Sequence, residues 1–270
     1  MIVKSFTAVF LILHLLTPGS IAAADPGETE LTHSRVSKRD KIILTNVAGL
    51  SAITLWGIAN WDYFAASPSF KKEGWFSADT REGGADKLGH LYTSYILSHL
   101  LSGIYRNWGY DPARGSLLGA LTSFAAMSWM ELGDSFSDYG FSPEDFIMNT
   151  LGCATAYFME NIPGLSDKID LRVEYRPRFD QADIFTDYDH QTFLVAFKLD
   201  GFDTFANGWA GLLELQLGYA ARGYSGKSYG KRHISIGLGL NVPKILERLG
   251  MRRLSRVTRY FQIPFTRVDM

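Results

Sequence analysis

The stretch Ile42–Trp61, with the sequence IILTNVAGLSAITLWGIANW, contains no charged residue. An α-helix rises about 1.5 Å per residue, so a helix of this length can cross a hydrocarbon layer about 30 Å thick. Three further uncharged stretches follow it, at 88–105, 115–130 and 146–159. All four are long for strands and therefore predict helices. We expect residues 40–164 to form an apolar four-helix bundle, either embedded in a membrane or buried under the rest of the protein.

Capping signals mark the expected starts of three of these helices. Asp111 and Ser142 each stand directly before a proline. A side chain that accepts a hydrogen bond from the first turn, followed by proline in that turn, is typical of a helix N-terminus. Asp86 is placed to cap the second helix with its carboxylate. These signals support helices separated by short connections.

The N-terminus predicts export. Lys4 gives a positive start, an apolar core follows at 6–16, and small residues at 22–24 suit a signal peptidase. We therefore expect a signal peptide at 1–24 and a flexible leader at 25–39. The alternative is an uncleaved anchor helix. No cysteine lies near the expected cleavage site, so lipid attachment there is not expected.

The second half of the chain, residues 165–270, changes to a period of two. Residues 212–219 and 233–242 alternate apolar with polar or small side chains, which predicts strands. Weaker strand patterns occur at 171–175, 192–199 and 260–268. Strands of outer-membrane proteins alternate in the same way, but about five strands are too few to close the smallest of those structures. A small antiparallel sheet with one buried face is the favoured prediction, which makes the fold α+β.

A basic segment interrupts these strands at 243–260. Its cations alternate with apolar residues and are Lys244, Arg248, Arg252, Arg253, Arg256 and Arg259. A basic amphipathic helix of this kind can lie on an anionic lipid surface. The alternative is a helix whose charged face is simply solvated.

Composition narrows the possible partners and compartments. The formal net charge of −1 argues against a nucleic-acid partner, which would require a basic excess. An aromatic content of 14% suits a membrane interface, whereas a mean hydropathy of −0.03 excludes a simple polytopic membrane protein. Cys153 is the only cysteine, so an internal disulfide and a Cys-x-x-Cys zinc site are excluded. It is expected to pack as a small apolar group.

Six polar side chains stand among the apolar turns, in pairs spaced three or four residues apart: Asp86 with His90, Glu131 with Asp134, and Asp145 with Asn149. Residues at this spacing share one helix face. Burying such groups is costly unless they pair with one another, with a metal or with a ligand. Consecutive helices run in opposite directions, so the start of the second helix, the end of the third and the start of the fourth lie on the same side of a bundle.

The six side chains are therefore predicted to converge on one site. His90 could act as a base or ligand, and the three carboxylates could hold a hard cation or act as acids. The residue types identify neither a particular metal nor another cofactor. Each group also has an ordinary alternative, as a helix cap, a solvated helix end or a core histidine.

Four short motifs within residues 84–160 carry a family resemblance: Asp86-Lys87-Leu88-Gly89-His90, Glu131-Leu132-Gly133-Asp134, Ser142-Pro143-Glu144-Asp145 and Asn149-Thr150-Leu151-Gly152. Together they resemble the uncharacterised YfiM-like family of periplasmic lipoproteins. More distantly, they are similar to the VanZ-like membrane proteins. The resemblance implies an envelope location and supplies no reaction. The missing cysteine near the N-terminus and the added strand-rich half depart from the family pattern.

The favoured function is that of a non-catalytic envelope protein, a scaffold or partner of other envelope components. The expected location is the periplasm in association with the outer membrane, with the inner membrane as the alternative, and the membrane lipid surface is the expected partner. The alternative function is an enzyme that processes a lipid or cell-wall precursor at the polar cluster. No nucleophile elbow, phosphate-binding glycine loop or His-Glu-x-x-His motif supports a specific reaction.

Overall fold

The computed structural model describes residues 36–176, 186–224 and 230–270. The predicted signal peptide and almost all of the predicted leader lie outside these residues. The four predicted helices are present, and each is slightly longer than its uncharged stretch: α1 (Lys38–Asn60), α2 (Ala85–Asn107), α3 (Pro112–Ser135) and α4 (Pro143–Asn161). Asp111 and Ser142 cap α3 and α4 as predicted, because each side chain accepts a hydrogen bond from the backbone three residues on. The α+β fold class is confirmed.

The predicted cap at Asp86 is wrong. The N-cap position of α2 is occupied by Gly84, which has a φ of 85° and offers no side chain. Asp86 instead lies in the first turn, where its carboxylate approaches Lys87. A negative charge in the first turn still interacts favourably with the helix dipole.

The helices are arranged so that α1 and α3 run in one direction while α2 and α4 run in the other. Asn161 at the end of α4 donates a hydrogen bond to Ser116 near the start of α3 (2.8 Å). Lys38, at the start of α1, bonds to the carbonyl of Gly109, just before α3. The starts of α2 and α4 consequently meet the ends of α1 and α3 at one end of the bundle, which we call the cluster end.

After a single turn of helix, α5 (Leu165–Lys168), the chain forms six strands. They are β1 (Ile169–Tyr175), β2 (Gln191–Lys198), β3 (Leu213–Arg222), β4 (Lys231–Leu240), β5 (Phe261–Gln262) and β6 (Arg267–Asp269). Their order in the sheet is β5-β1-β2-β3-β4-β6, and every pairing is antiparallel except β1 with β5. The weak strand predicted at 260–268 is thus two short strands on opposite edges of the sheet.

The basic segment is not one amphipathic helix. It forms two short helices, α6 (Val242–Arg248) and α7 (Arg252–Thr258). Gly250 separates them, with a φ of 77° that glycine adopts without steric cost. The break prevents the cations from lining one continuous helix face.

The sheet is strongly curled. A flat sheet would place its outer strands five spacings apart, about 24 Å. The connection between Gln262 on β5 and Arg267 on β6 can span only about 18 Å. Across the curled interior, Gln216 of β3 donates a hydrogen bond to Gln262 of β5 (3.0 Å). The two edges are therefore drawn toward each other.

The polarity of the sheet is the reverse of that expected for a soluble protein. Asp170, Arg172, Glu214 and Gln216 share one face and are fully buried. The opposite face is apolar and largely bare on β3 and β4, where Ile234 is 76% exposed. The prediction of a sheet with one buried face is therefore too simple, because the polar face is buried while the apolar face is bare on β3 and β4 and covered elsewhere.

The apolar side of β1, β2 and the end of β3 packs against α2 and α4. The hydrophobic core joins both halves of the chain and comprises Ala85, Tyr92, Tyr95, Ala156, Met159, Val173, Phe193 and Ala221. The bundle and the sheet therefore share one apolar contact surface. The six predicted site residues lie at the cluster end of the bundle.

Candidate functional site

The predicted polar cluster forms at the cluster end of the bundle. His90 lies in the second turn of α2, Glu131 in the last turns of α3, and Asp145 and Asn149 in the first two turns of α4. His90 Nδ1 is 3.3 Å from Glu131 Oε1 and 3.3 Å from Asn149 Oδ1. His90 Nε2 is 3.9 Å from Asp145 Oδ1. The predicted convergence of three helices on His90 is thus observed.

Asn149 connects the three helices through its side-chain amide. Its Nδ2 donates a hydrogen bond to Glu131 Oε1 (3.2 Å), and its Oδ1 accepts one from Ser94 of α2 (2.9 Å). The small residue Gly152, one turn further along α4, lies directly against the Leu91 carbonyl of α2. This close approach brings the two helices near enough for Asn149 to reach both neighbours.

Lys87 also belongs to the cluster, although it is not one of the six predicted site residues. Its side chain is 1% exposed, and its Nζ lies 2.5 Å from Glu73, 2.9 Å from Asp86 and 2.9 Å from Asp145. A buried ammonium requires nearby carboxylates to offset its lost hydration. The signal was present in the Asp-Lys-x-x-His motif, where Lys87 stands next to Asp86. Glu73 belongs to the connection between α1 and α2, and no sequence motif marked it as a candidate site residue.

Asp134 reaches the same end of the bundle but faces a different partner. Its carboxylate interacts with the hydroxyl of Tyr63, whose ring lies against Gly57 of α1 and Gly133 of α3. Burial, followed by the charge of Asp134, raises the pKa of Tyr63 well above its usual range. Tyr63 therefore remains neutral and joins α1 to α3.

Glu82 lies in the connection that covers the cluster end. Burial raises the pKa of Glu82 to about 7, against the opposing effect of Arg81. Its carboxyl group is therefore titrated near neutral pH, although it is not one of the six predicted site residues.

The cluster is open to the surface on one side only. Glu131 and Asn149 are fully buried, whereas Glu73, Asp86 and the edge of His90 are partly exposed. One ligand atom from each of His90, Glu131 and Asp145 lies within 4.8 Å of the other two. Such spacing suits a metal ion. Glu73, Asp86 and Asp145 meet the same criterion, but the ammonium of Lys87 already binds to all three.

A second polar pair lies further along the same two helices. His99 Nδ1 is 2.6 Å from Glu160, which also accepts a hydrogen bond from Ser102 (2.6 Å) and pairs with Arg106 (3.3 Å). The sequence analysis did not single out His99 or Glu160. This pair provides a comparison for His90, because it joins the same helices through a histidine and a carboxylate.

The curled sheet contains a separate buried charge network. Arg172 donates hydrogen bonds to Glu214 (2.6 Å), Asp170 (2.9 Å) and Gln262 (3.1 Å). Lys198 donates to Asp170 as well (2.8 Å). Each charge faces an opposite charge, as burial requires. The network holds four strands together, β1, β2, β3 and β5.

Residues 72–161 match the family described as "Predicted periplasmic lipoprotein (DUF2279)". The matched range includes all six predicted site residues together with Glu73 and Lys87, and it ends at the last residue of α4. The match supports an uncharacterised periplasmic protein family and an exported, periplasmic location. No curated protein and no solved structure matches the chain. The resemblance to YfiM-like and VanZ-like proteins stays a prediction.

Proposed function

We propose that the protein is an integral component of an envelope membrane, with α1–α4 lying in the lipid and the polar cluster near one membrane surface. Its role is that of a scaffold or partner for other envelope components. The observation that supports this proposal is the reversed polarity of the molecule. Among the described residues, the largest fully buried side chains are mostly polar or charged, and Arg172, Lys87, Gln216, Glu131 and Glu214 are examples.

The outward faces of the helices are apolar. On α1 the exposed apolar residues include Ile43, Leu44, Val47, Leu55 and Ile58, and on α3 and α4 they are Leu117, Leu121, Trp129, Leu132, Ile147, Leu151 and Phe158. Soluble proteins rarely expose contiguous apolar surface of this extent. The surface surrounds the bundle on the sides that the sheet does not cover.

Helix α1 gives the clearest indication of membrane insertion. Among the described residues, it is the one helix whose length and composition suit a crossing, with a hydropathy of 1.8. A core helix of a soluble protein can have the same composition, but such a helix is mostly buried. Only 6% of the apolar window of α1 is buried. Lipid would cover the surface that the protein leaves bare.

The interior of the bundle has the composition of a membrane helix interface. Ser94, Ser98 and Ser102 form a buried row on α2, and Gly119 of α3 lies against the backbone of Ser98 and Ser102. Small residues allow close backbone approach, which drives helix association where lipid removes the hydrophobic effect.

Aromatic and basic residues lie at the end of the bundle opposite the cluster. Lys38 stands over the ring of Tyr110 at 5.3 Å, and Lys41 over the ring of Trp108 at 5.7 Å. Trp61 and Tyr63 lie at the cluster end, 5.9 Å apart between ring centroids. Tryptophan and tyrosine are enriched at both membrane interfaces, where basic residues also anchor helix ends. The length of α1 separates the aromatic residues at one end of the bundle, Trp108 and Tyr110, from those at the other end, Trp61 and Tyr63.

A cysteine-accessibility experiment tests the proposal. Cys153 is the only cysteine, so its replacement by alanine gives a background in which single cysteines can be placed. In membranes, Leu121→Cys should react slowly with a membrane-impermeant maleimide and should react fully after denaturation in SDS. Arg114→Cys is the matched control on the same helix, because its side chain is 78% exposed and polar. Equal labelling rates at both positions in intact membranes would contradict the proposal.

Fractionation supplies an independent test of the location. The protein should stay in the envelope pellet after an alkaline carbonate wash and should enter the supernatant only with detergent. Release by carbonate would indicate a peripheral protein. The same pellet separated on a density gradient distinguishes the outer from the inner membrane.

The low solvent exposure of the cluster favours a non-catalytic role over the enzymatic alternative. Glu131 and Asn149 are fully buried, and the side chain of His90 is 17% exposed. A lipid or cell-wall precursor would need to displace the surrounding side chains before it reached these groups. An ion can enter without such displacement.

A further inference from the structure

We propose that His90, Glu131 and Asp145 form a binding site for a divalent transition metal ion such as Zn²⁺ or Mn²⁺. This inference goes beyond the membrane role and does not depend on it. Three observations support it: the proton arrangement around His90, a buried oxygen of Asp145 and the charge of the cluster.

The hydrogen bonds of His90 indicate which ring nitrogen is free to bind a cation. Asn149 uses its Nδ2 as a donor to Glu131, so its Oδ1 is an acceptor. That oxygen and Glu131 Oε1 each lie 3.3 Å from His90 Nδ1. Because Nδ1 faces two acceptors, it is the nitrogen that carries the proton in neutral imidazole. The lone pair is then on Nε2, which faces Asp145. A metal-binding histidine usually donates its other N–H to an oxygen acceptor in the same manner.

Asp145 presents an oxygen to this lone pair. Its Oδ1 is buried, and the Lys87 ammonium lies 2.9 Å from it. A carboxylate oxygen has two lone pairs, so one remains to face the ring of His90 when the other is directed at Lys87. Two acceptors, His90 Nε2 and Asp145 Oδ1, thus face each other at 3.9 Å. A metal ion about 2.1 Å from each of two ligands holds them about 3.0–4.2 Å apart, for angles between 90° and 180°.

The charges around the site favour a cation. Glu73, Asp86, Glu131, Asp134 and Asp145 lie at this end of the bundle, and the ammonium of Lys87 is the buried cation among them. A buried excess of carboxylates is costly unless it is neutralised. A divalent ion would supply the missing positive charge. One ligand atom from each of His90, Glu131 and Asp145 lies within 4.8 Å of the other two. Glu131 is therefore close enough to supply a second carboxylate, which makes a set of one nitrogen and two oxygens.

The donor set identifies the class of metal. Imidazole nitrogen suits zinc and other transition metals, whereas magnesium and calcium prefer sites made only of oxygen. The neighbouring set of Glu73, Asp86 and Asp145 offers only oxygens, but Lys87 binds there. One site is therefore expected for each chain. Asn149 would orient His90 without binding the metal.

The test uses the full chain purified in detergent. Elemental analysis should find about one transition metal ion per chain, and EDTA treatment should lower the melting temperature. Readdition of ZnCl₂ or MnCl₂ should restore it, whereas the same concentration of MgCl₂ or CaCl₂ should not. Wild-type protein that purifies without metal and shows no shift with either ZnCl₂ or MnCl₂ would overturn the proposal.

Variants assign the metal to these residues. His90→Ala and Asp145→Asn should each reduce the bound metal at least tenfold, and Asn149→Ala should weaken metal affinity about 10–100-fold. His99→Ala is the matched control, because His99 also joins α2 to a carboxylate of α4. Equal loss of metal from His99→Ala and His90→Ala would show that the ion binds elsewhere or adventitiously.

A spectroscopic measurement on wild-type protein avoids any dependence on the folding of variants. Co²⁺ added to metal-free protein should give visible d–d absorption bands that equimolar Zn²⁺ abolishes. Bands typical of free hexaaqua Co²⁺, unchanged by Zn²⁺, would contradict a site of this donor set.

Discussion

Replacing Gly152 by alanine should destabilise the protein by separating α2 from α4. A Cβ atom at this position would lie 2.1 Å from the carbonyl oxygen of Leu91 and 2.9 Å from the Cβ of Ser94. Ordinary contacts begin near 3.4 Å. The obstructing atom is backbone, so rotation of a side chain cannot relieve the contact, and the helices must move apart by more than 1 Å.

The cost of this movement can be estimated from its parts. Overpacking of a tight interface typically costs about 1–3 kcal/mol. The same movement would break the 2.9 Å hydrogen bond between Ser94 and Asn149, for roughly another 1 kcal/mol. Alanine has a helix propensity about 1 kcal/mol more favourable than glycine, which offsets part of the loss. The net destabilisation is therefore about 1–3 kcal/mol.

Gly103→Ala is the matched control. Gly103 lies in α2, and an added Cβ there meets no heavy atom of the described residues within 4 Å. The substitution should be neutral or stabilise the protein by up to about 1 kcal/mol. Thermal unfolding of both variants in the same detergent measures the difference, at about 2–4 °C per kcal/mol. If Gly152→Ala melts at or above the temperature of Gly103→Ala, the close helix contact is not present.

Three further predictions concern charges. Arg172→Met leaves the buried carboxylate of Glu214 without its cationic partner and should lower the free energy of unfolding, measured in denaturant, by about 3–5 kcal/mol. The exposed Arg114→Ala should change it by less than about 0.5 kcal/mol, and similar costs for the two variants would contradict the network. The folded state binds a proton at Glu82 up to a pKa of about 7, above the ordinary value of 4.5, so stability should fall as pH rises through that window. Glu82→Gln should flatten this dependence, and an unchanged profile would assign it to another group. His90→Ala and Glu131→Ala should be non-additive by about 0.5–3 kcal/mol in a double-mutant cycle, and simple additivity would show that the two side chains do not interact.

The sequence predicted the cluster because helix periodicity and chain direction are local properties. Asp145 and Asn149 share one helix face because they are four residues apart. Short connections require neighbouring helices to run in opposite directions. Their meeting with His90 follows from these two facts. Lys87 was overlooked because a lysine beside an aspartate normally remains solvated, and only tertiary packing shows that its side chain is buried.

The sheet was less predictable. Alternation at 212–219 and 233–242 predicted β3 and β4, since period two is a property of the extended chain. Alternation cannot show which of the two faces will be covered. A soluble sheet covers its apolar face, yet here Arg172 and Glu214 bind each other inside the curl. That outcome depends on how β5 and β6 pair with the outer strands of the sheet. The local alternation of residues does not predict this long-range pairing.

The sequence by itself determined the α+β fold class, the four helices with two of their caps, and the spacing that brings His90 to Glu131 and Asp145. These features depend on contacts within a few residues or on the direction of adjacent helices. The tertiary structure alone decided which faces are bare, that the basic segment breaks at Gly250, and that Lys87 lies among three carboxylates. Such features depend on residues far apart in the chain, because burial and charge pairing are set by what packs against a side chain.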